Sequence, residues 1–318
     1  MQSSEDILCI FSFLQIITGV FGNFLFLYLN GFNLITTQRI RPIDLIFINL
    51  AFSHILLILF KGTPTAFQLC KQAIILGDVE CKIIVYLQRV SRSLSLCSSC
   101  FLSVYQVIAI SSVSSKCAGL KGRILNSIVP SCIFIWILNL LFDMNVPWYV
   151  TGSINKTNSD LHMNMGYCSI DWHALIVSKM MTLKTLYDAV FLGFLAIASG
   201  YLVLVLYRHH WQVQHIHNTK LNPSISPVIS ATKVILLLMI IFISFYSASS
   251  IFVNVVDYSK GKTLWMIHFS VFLNLCYPTI CPFVLINKKN YSSLNFGCNY
   301  KLWSHLSEQE GISNHHQV

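Results

Sequence analysis

The stretch Val234–Val256, VILLLMIIFISFYSASSIFVNVV, contains no charged side chain. Wound as an α-helix it is longer than the roughly 20 residues that cover the hydrocarbon core of a bilayer. Six further apolar runs of similar length flank it: Leu8–Leu29, Leu45–Phe67, Ile83–Ile110, Ile124–Phe142, Leu183–Tyr207 and Leu264–Ile286. Hydrophobic residues make up 55% of the chain and charged residues 10%, whereas a soluble domain carries about 25% charged residues. The surface is therefore expected to face lipid. In lipid every backbone polar group needs an internal partner, and the runs lack the strict alternation of a membrane barrel. An all-α membrane protein follows: one domain over residues 1–318, built as a seven-transmembrane-helix bundle with no internal repeat.

Charge placement sets the expected orientation. The net charge is +9, and the basic residues cluster in the first, third and fifth connections and the C-terminal tail. These are Arg39, Arg41, Lys116, Lys121, Arg123, Arg208, Lys220, Lys233, Lys288, Lys289 and Lys301. The intervening connections hold fewer (Lys71, Lys82, Lys156, Lys179, Lys260, Lys262), and residues 1–7 carry only Glu5 and Asp6. Excess Lys and Arg mark the cytoplasmic side. The N-terminus is thus expected outside and the tail Asn290–Val318 inside, in a multi-pass protein of the plasma membrane. The first run has no basic leader and no small-residue cleavage site, so it reads as a spanning helix rather than a signal peptide.

Among the cysteines, Cys97, Cys100, Cys132, Cys276 and Cys281 fall inside apolar runs and read as small buried hydrophobes. Cys81 and Cys168 fall on the expected oxidising side. Their pairing is the preferred expectation; the alternatives are Cys81 with Cys70, or no bridge. Asn155-Lys156-Thr157 is a glycosylation sequon in the same outer connection as Cys168. Asn290-Tyr291-Ser292 has the same form but lies on the cytoplasmic side. Cys298, after Lys288 and Lys289, is either a palmitoylation site or a free thiol.

Ionisable side chains within spanning helices are costly, which makes each a functional candidate. Six qualify: His54, Lys61, Arg89, Arg92, Lys184 and Asp188. Arg89 and Arg92 are three apart and Lys184 and Asp188 four apart, so each pair shares a helix face. Arg89 lies about 12 Å below Cys81 at the helical rise, and Arg92 one turn deeper, too far for easy snorkelling. Lys61 is placed closer to the outer surface, where snorkelling remains open. Four cations then face one acid. Either Asp188 pairs with a neighbour and the group only holds helices together, or the cluster lines an outward cavity for an acidic or sulfated apolar ligand. Tyr246, Phe245 and Asn274 join the pocket candidates by depth, with plain packing as the competing role. His54 has no second His or Cys at metal spacing and reads as an interior hydrogen-bonded histidine. The stretch His209-His210…His215…His217 beside Arg208 reads as a docking surface, with zinc a minor alternative; no metal or cofactor is expected. Pro130, Pro278 and Pro282 interrupt helical hydrogen bonding and allow bends.

Taken together, several stretches resemble type 1 vomeronasal receptors, a family of seven-helix G-protein-coupled receptors. They are Gly22-Asn23, Asp44-Leu45-Ile46-Phe47-Ile48-Asn49-Leu50-Ala51, Arg92-Ser93-Leu94-Ser95-Leu96-Cys97, Ser103 to Ser111, Tyr167-Cys168-Ser169, Arg208-His209-His210 with Val213 to His217, and Tyr277-Pro278-Thr279-Ile280-Cys281-Pro282. The likeness covers about Leu8 to Lys289. Where most rhodopsin-like receptors carry Asp-Arg-Tyr, this chain has Tyr105-Gln106-Val107; His54 stands for the usual second-helix Asp, and Tyr277-Pro278 for Asn-Pro. The resemblance implies detection of pheromone-like small molecules among the third, fifth, sixth and seventh helices. It also implies coupling to a heterotrimeric G protein of the inhibitory class, with Gln106, Arg208, His209 and His210 facing that partner. A bitter-taste-type receptor is the near rival. A secondary transporter is opposed by the absence of internal repeats. An enzyme is opposed by a lone intramembrane acid and the lack of a nucleophile–base pair.

Overall fold

The computed structural model describes residues 2–37, 42–71, 76–111, 118–152, 162–164, 167–171, 175–215, 225–258, 266 and 268–287. Its helices are α1 (Gln2–Thr37), α2 (Pro42–Leu57), α3 (Thr63–Leu69), α4 (Asp78–Ser111), α5 (Ala118–Phe142), α6 (Leu175–His215), α7 (Ile225–Tyr258) and α8 (His268–Asn287). A π-helical turn, Ile58–Gly62, joins α2 to α3 into one rod, so the eight labels make seven rods. The rods outrun the apolar stretches, because helix continues past the lipid boundary wherever backbone bonds close internally.

Six of the rods are long and apolar enough to cross a membrane on their own composition. The exception is α4, which carries two arginines and the run Ser91, Ser93, Ser95, Ser98, Ser99. Its position accounts for this. It packs against α2, α5, α6 and α7, and all five serines are buried at 2% exposure or less. A helix surrounded by other helices is solvated by protein, and small polar side chains let the backbones come close. The outer rods show the opposite pattern. Phe11, Leu14, Ile17, Phe21 and Phe24 of α1 and Phe134, Ile137 and Leu141 of α5 are exposed, as a lipid-facing stripe requires.

Polar side chains tie the rods inside. Asn49 of α2 donates to Ser98 Oγ of α4 at 2.9 Å, and Trp136 of α5 donates to Asn49 Oδ1 at 2.6 Å. Pro282 lacks an N–H, which frees the carbonyl of Pro278 one turn earlier. Asn23 Nδ2 on α1 donates to that carbonyl at 2.9 Å. Gly22, beside it, packs so closely that a Cβ would come within 2.8 Å of the Phe283 ring.

A three-stranded antiparallel sheet lies at the end of the bundle where α4 begins. Its order is β1 (Val150–Gly152), β3 (Cys168–Asp171), β2 (His162–Asn164), with Gly152 opposite Cys168 and Asn164 opposite Ser169. Cys168 is bridged to Cys81 at the start of α4, with Cα atoms 5.7 Å apart; this is the preferred pairing of the three considered. A second bridge, Cys9–Cys70, has no counterpart in the sequence-based expectations and joins α1 to the residue following α3. It removes Cys70 as a partner for Cys81. Asp78 Oδ1 accepts from the Gly152 N–H at 2.6 Å. Tyr167 reaches down to Gln88 of α4 and Thr65 of α3, and burial pushes its hydroxyl pKa up against those hydrogen bonds. The sheet is therefore bound to α3 and α4 rather than hanging above them.

Candidate ligand site

Two polar clusters occupy the sheet-proximal half of the bundle, one helical turn apart. The upper one centres on Asp143, which is 1% exposed and lies one residue past the end of α5. Arg89 Nε of α4 donates to its Oδ1 at 3.1 Å, and Lys184 Nζ of α6 donates to its Oδ2 at 2.8 Å. The Lys184 ammonium also sits 5.1 Å from the Phe142 ring and 5.2 Å from the Tyr187 ring. This corrects the reckoning of four cations against a single acid. Asp143 lies just beyond the apolar run that ends at Phe142, and it compensates Arg89 and Lys184. Nor does Asp188 pair with Lys184, its neighbour one turn away.

The lower cluster joins α4, α6 and α7 through Tyr246. Arg92 Nε donates to the Tyr246 hydroxyl at 3.2 Å, and its guanidinium carbon lies 4.6 Å from the ring centroid. Arg92 Nη2 donates to Ser250 Oγ at 2.9 Å. The Tyr246 hydroxyl in turn donates to Asp188 Oδ2 at 2.7 Å, while Asp188 Oδ1 is buried with no hydrogen-bond partner. One phenol thus mediates between an arginine and a carboxylate on different helices. That arrangement is open to exchange, since a ligand offering a donor to Oδ1 or an acceptor to the guanidinium competes with the phenol.

Asn274 lies at the back of this region and holds α8 to α7. Its amide donates to Ser249 Oγ and to Ser270 O, the latter at 3.2 Å. Below Tyr246 the contacts continue through aromatic rings: Tyr246 to Phe242 at 5.4 Å, Phe242 to Tyr277 at 4.6 Å, and Tyr277 to His54 at 5.2 Å. His54 Nε2 closes the series on Ser95 Oγ at 3.1 Å. His54 is accordingly an interior, hydrogen-bonded residue, and nothing in the sequence signals the ring series that connects it to Tyr246.

At the opposite end Gln106 is buried, and Thr232 Oγ1 of α7 donates to its Oε1 at 3.4 Å. Its side chain is turned into the bundle between α4 and α7, not toward the end surface. Arg208 is exposed near the end of α6, and the backbone of His209 and His210 continues that helix. Asn155, His217, Cys298 and the segment from Lys288 onward lie outside the described residues.

Comparison with known proteins agrees with this architecture over nearly the whole chain. Residues 7–295 match the Vomeronasal organ pheromone receptor family. Vomeronasal type-1 receptor 4 of Homo sapiens is 33% identical over 276 residues, 86% of this chain and 91% of the relative. Vomeronasal type-1 receptor 3 of Pan troglodytes is 34% identical over 279 residues, 86% of this chain and 88% of the relative. A more distant relative, Olfactory receptor class A-like protein 1 of Danio rerio, is 25% identical over 288 residues, covering 90% of each chain. With its seven rods and these matches, the chain belongs to the type 1 family of vomeronasal pheromone receptors.

Proposed function

We propose that this receptor binds a pheromone-like small molecule at Arg92, Asp188 and Tyr246 and passes the signal to a heterotrimeric G protein of the inhibitory class. It does so in the plasma membrane with its N-terminus outside, so that the sheet end faces the extracellular medium and Asn155 is available for glycosylation. The observation that supports this best is the Tyr246 hydroxyl shared between Arg92 and Asp188. Asn274 positions α8 beside the pocket. Arg89 and Lys184 frame its mouth through Asp143 and reach the ligand only if that ion cluster opens.

A ligand that takes over one bond of Tyr246 changes what holds α7 to α4 and α6. At the inner end the same two helices, α4 and α7, are joined by Gln106 and Thr232. Displacing α7 there parts that contact and opens a surface to which Arg208, His209 and His210 contribute. The energetic requirement is modest: a ligand binding the active arrangement 100-fold better than the resting one supplies about 2.7 kcal/mol of bias. Expression with an inhibitory-class G protein tests the proposal. Ligand-dependent suppression of cyclic AMP, lost in Tyr246→Phe at unchanged surface expression, is the expected result. Ligand uptake without any G-protein response would overturn it in favour of a transporter.

A further inference from the structure

Between the Tyr246 region and the inner Gln106–Thr232 contact, α7 is held by a sulfur atom. Thr232, Met239 and Tyr246 are seven residues apart, about two helical turns each, so they share the face of α7 that meets α4. Ser103 and Gln106 are three apart on one face of α4. Met239 Sδ accepts from Ser103 Oγ of α4 at 2.7 Å and from Ser199 Oγ of α6 at 3.8 Å. All three side chains are buried, in an apolar core with Leu102 of α4, Leu195 and Leu202 of α6, and Ile235 and Phe242 of α7. Two turns away along α7, Tyr246 is likewise shared between a residue of α4, Arg92, and one of α6, Asp188.

The serines are committed to this sulfur. A serine inside a helix commonly returns its hydroxyl to a carbonyl of its own preceding turn. Ser53, Ser93 and Ser244 do so here. Ser103 and Ser199 instead donate across to the thioether, and among the described residues no other acceptor takes either proton. Each hydroxyl has one proton to give, and leaving it without an acceptor in an apolar core is costly. The two contacts are unequal, so α7 is held through Met239 to α4 more than to α6. The thioether is unbranched and polarizable, which lets the sulfur shift without repacking the helices. A displacement of α7 off α4 toward α6 by about 1 Å, the difference between the two contacts, exchanges them.

We propose that Met239 is an acceptor switch: Ser103 holds α7 to α4 in the resting receptor, and Ser199 of α6 captures the same sulfur when α7 moves. This rests on the reading that α7 leaves α4 on activation, and it names the residues that select between the two positions. The full-length, ligand-free receptor in nanodiscs tests it. Spin labels carried on unnatural amino acids at the exposed positions Val104 of α4 and Lys233 of α7 leave the native cysteines intact. Pulsed electron paramagnetic resonance then gives the fraction of molecules with the longer α4–α7 separation. Ser103→Ala should raise that fraction about two- to fivefold, the loss of one neutral hydrogen bond to a weak acceptor. Adding Ser199→Ala should bring it back toward the wild-type value. In a Met239→Leu background, which keeps the volume and removes the acceptor, neither serine substitution should change the fraction. Serines that merely pack would shift it in one direction, whatever stands at 239. Should Ser103→Ala fail to fold, Ser103→Cys keeps the shape with a weaker donor and should act in the same direction. No change on replacing Ser103, a further rise on adding Ser199→Ala, or serine effects that persist in Met239→Leu would overturn the proposal. The distances need neither ligand nor G protein. A switch that behaves in this way without driving nucleotide exchange therefore contradicts the receptor reading and not the switch.

Discussion

Replacing Asp143 by Asn is the sharpest structural test of the upper cluster. The carboxylate is 1% exposed and compensates two cations, Arg89 at 3.1 Å and Lys184 at 2.8 Å. The triad carries a net single positive charge; Asp143→Asn leaves two. Removing one partner of a buried ion pair costs about 3–5 kcal/mol, because the remaining charge stays desolvated and uncompensated. At roughly 2–4 °C per kcal/mol for a domain of a few hundred residues, the unfolding midpoint should fall by about 10 °C. Lys184→Gln is the control that separates charge from contact. It deletes one hydrogen bond of similar length but leaves Arg89 and Asp143 as a neutral pair. Its midpoint should fall less than half as far as that of Asp143→Asn. The assay is thermal unfolding of the purified receptor in nanodiscs, with surface expression as a second reading. Equal destabilisation by the two variants, or a neutral Asp143→Asn, would refute the charge-compensation reasoning.

Non-reducing peptide mapping should recover Cys81–Cys168 and Cys9–Cys70, and the Cys81→Ala, Cys168→Ala double variant should lose about 2–4 kcal/mol of stability by thermal unfolding. Gly152→Ala puts a Cβ within 2.8 Å of the Leu76 carbonyl oxygen and the Gly77 carbonyl carbon, both backbone; it should cost about 1–3 kcal/mol by the same measurement. Thr232→Val deletes the hydroxyl that donates to Gln106 across α4 and α7. It should raise ligand-independent G-protein activation at equal surface expression.

What can be read from the chain, and what cannot, follows from the range of the forces involved. Burial against lipid acts on whole segments, so the seven rods appear as apolar runs; even the central place of α4 is foreshadowed by its serines and arginines. Arg92 and Asp188 stand out because charge inside a membrane is rare. Tyr246 is a candidate by depth alone; that its hydroxyl bonds to both of them is not legible, since it depends on how α4, α6 and α7 are rotated about their axes, and many rotations bury the same stripe. Asp143 is inconspicuous because it stands one residue beyond an apolar run, where an acid usually meets water; here the sheet end of α5 is covered by α4 and α6. Cys9 is hidden for the converse reason: it sits within an apolar run, where a thiol normally packs as a hydrophobe. The π turn at Ile58–Gly62 has no periodic signature, though Gly62 followed by Pro64 marks the only Gly and Pro in that rod beyond Pro42.

Signalling, on this reading, depends most on Tyr246 as the phenol through which Arg92 and Asp188 are held, and through which a bound molecule reaches α7. Nucleotide exchange on a purified inhibitory-class G protein, driven by the reconstituted receptor and a cue identified by cell screening, measures this directly. The wild type should accelerate exchange on adding the cue, and Tyr246→Phe should require at least about tenfold more of it, as expected for loss of a hydrogen bond to a charged group. An unchanged dose response in Tyr246→Phe and Arg92→Gln, with both proteins folded, would contradict this mechanism.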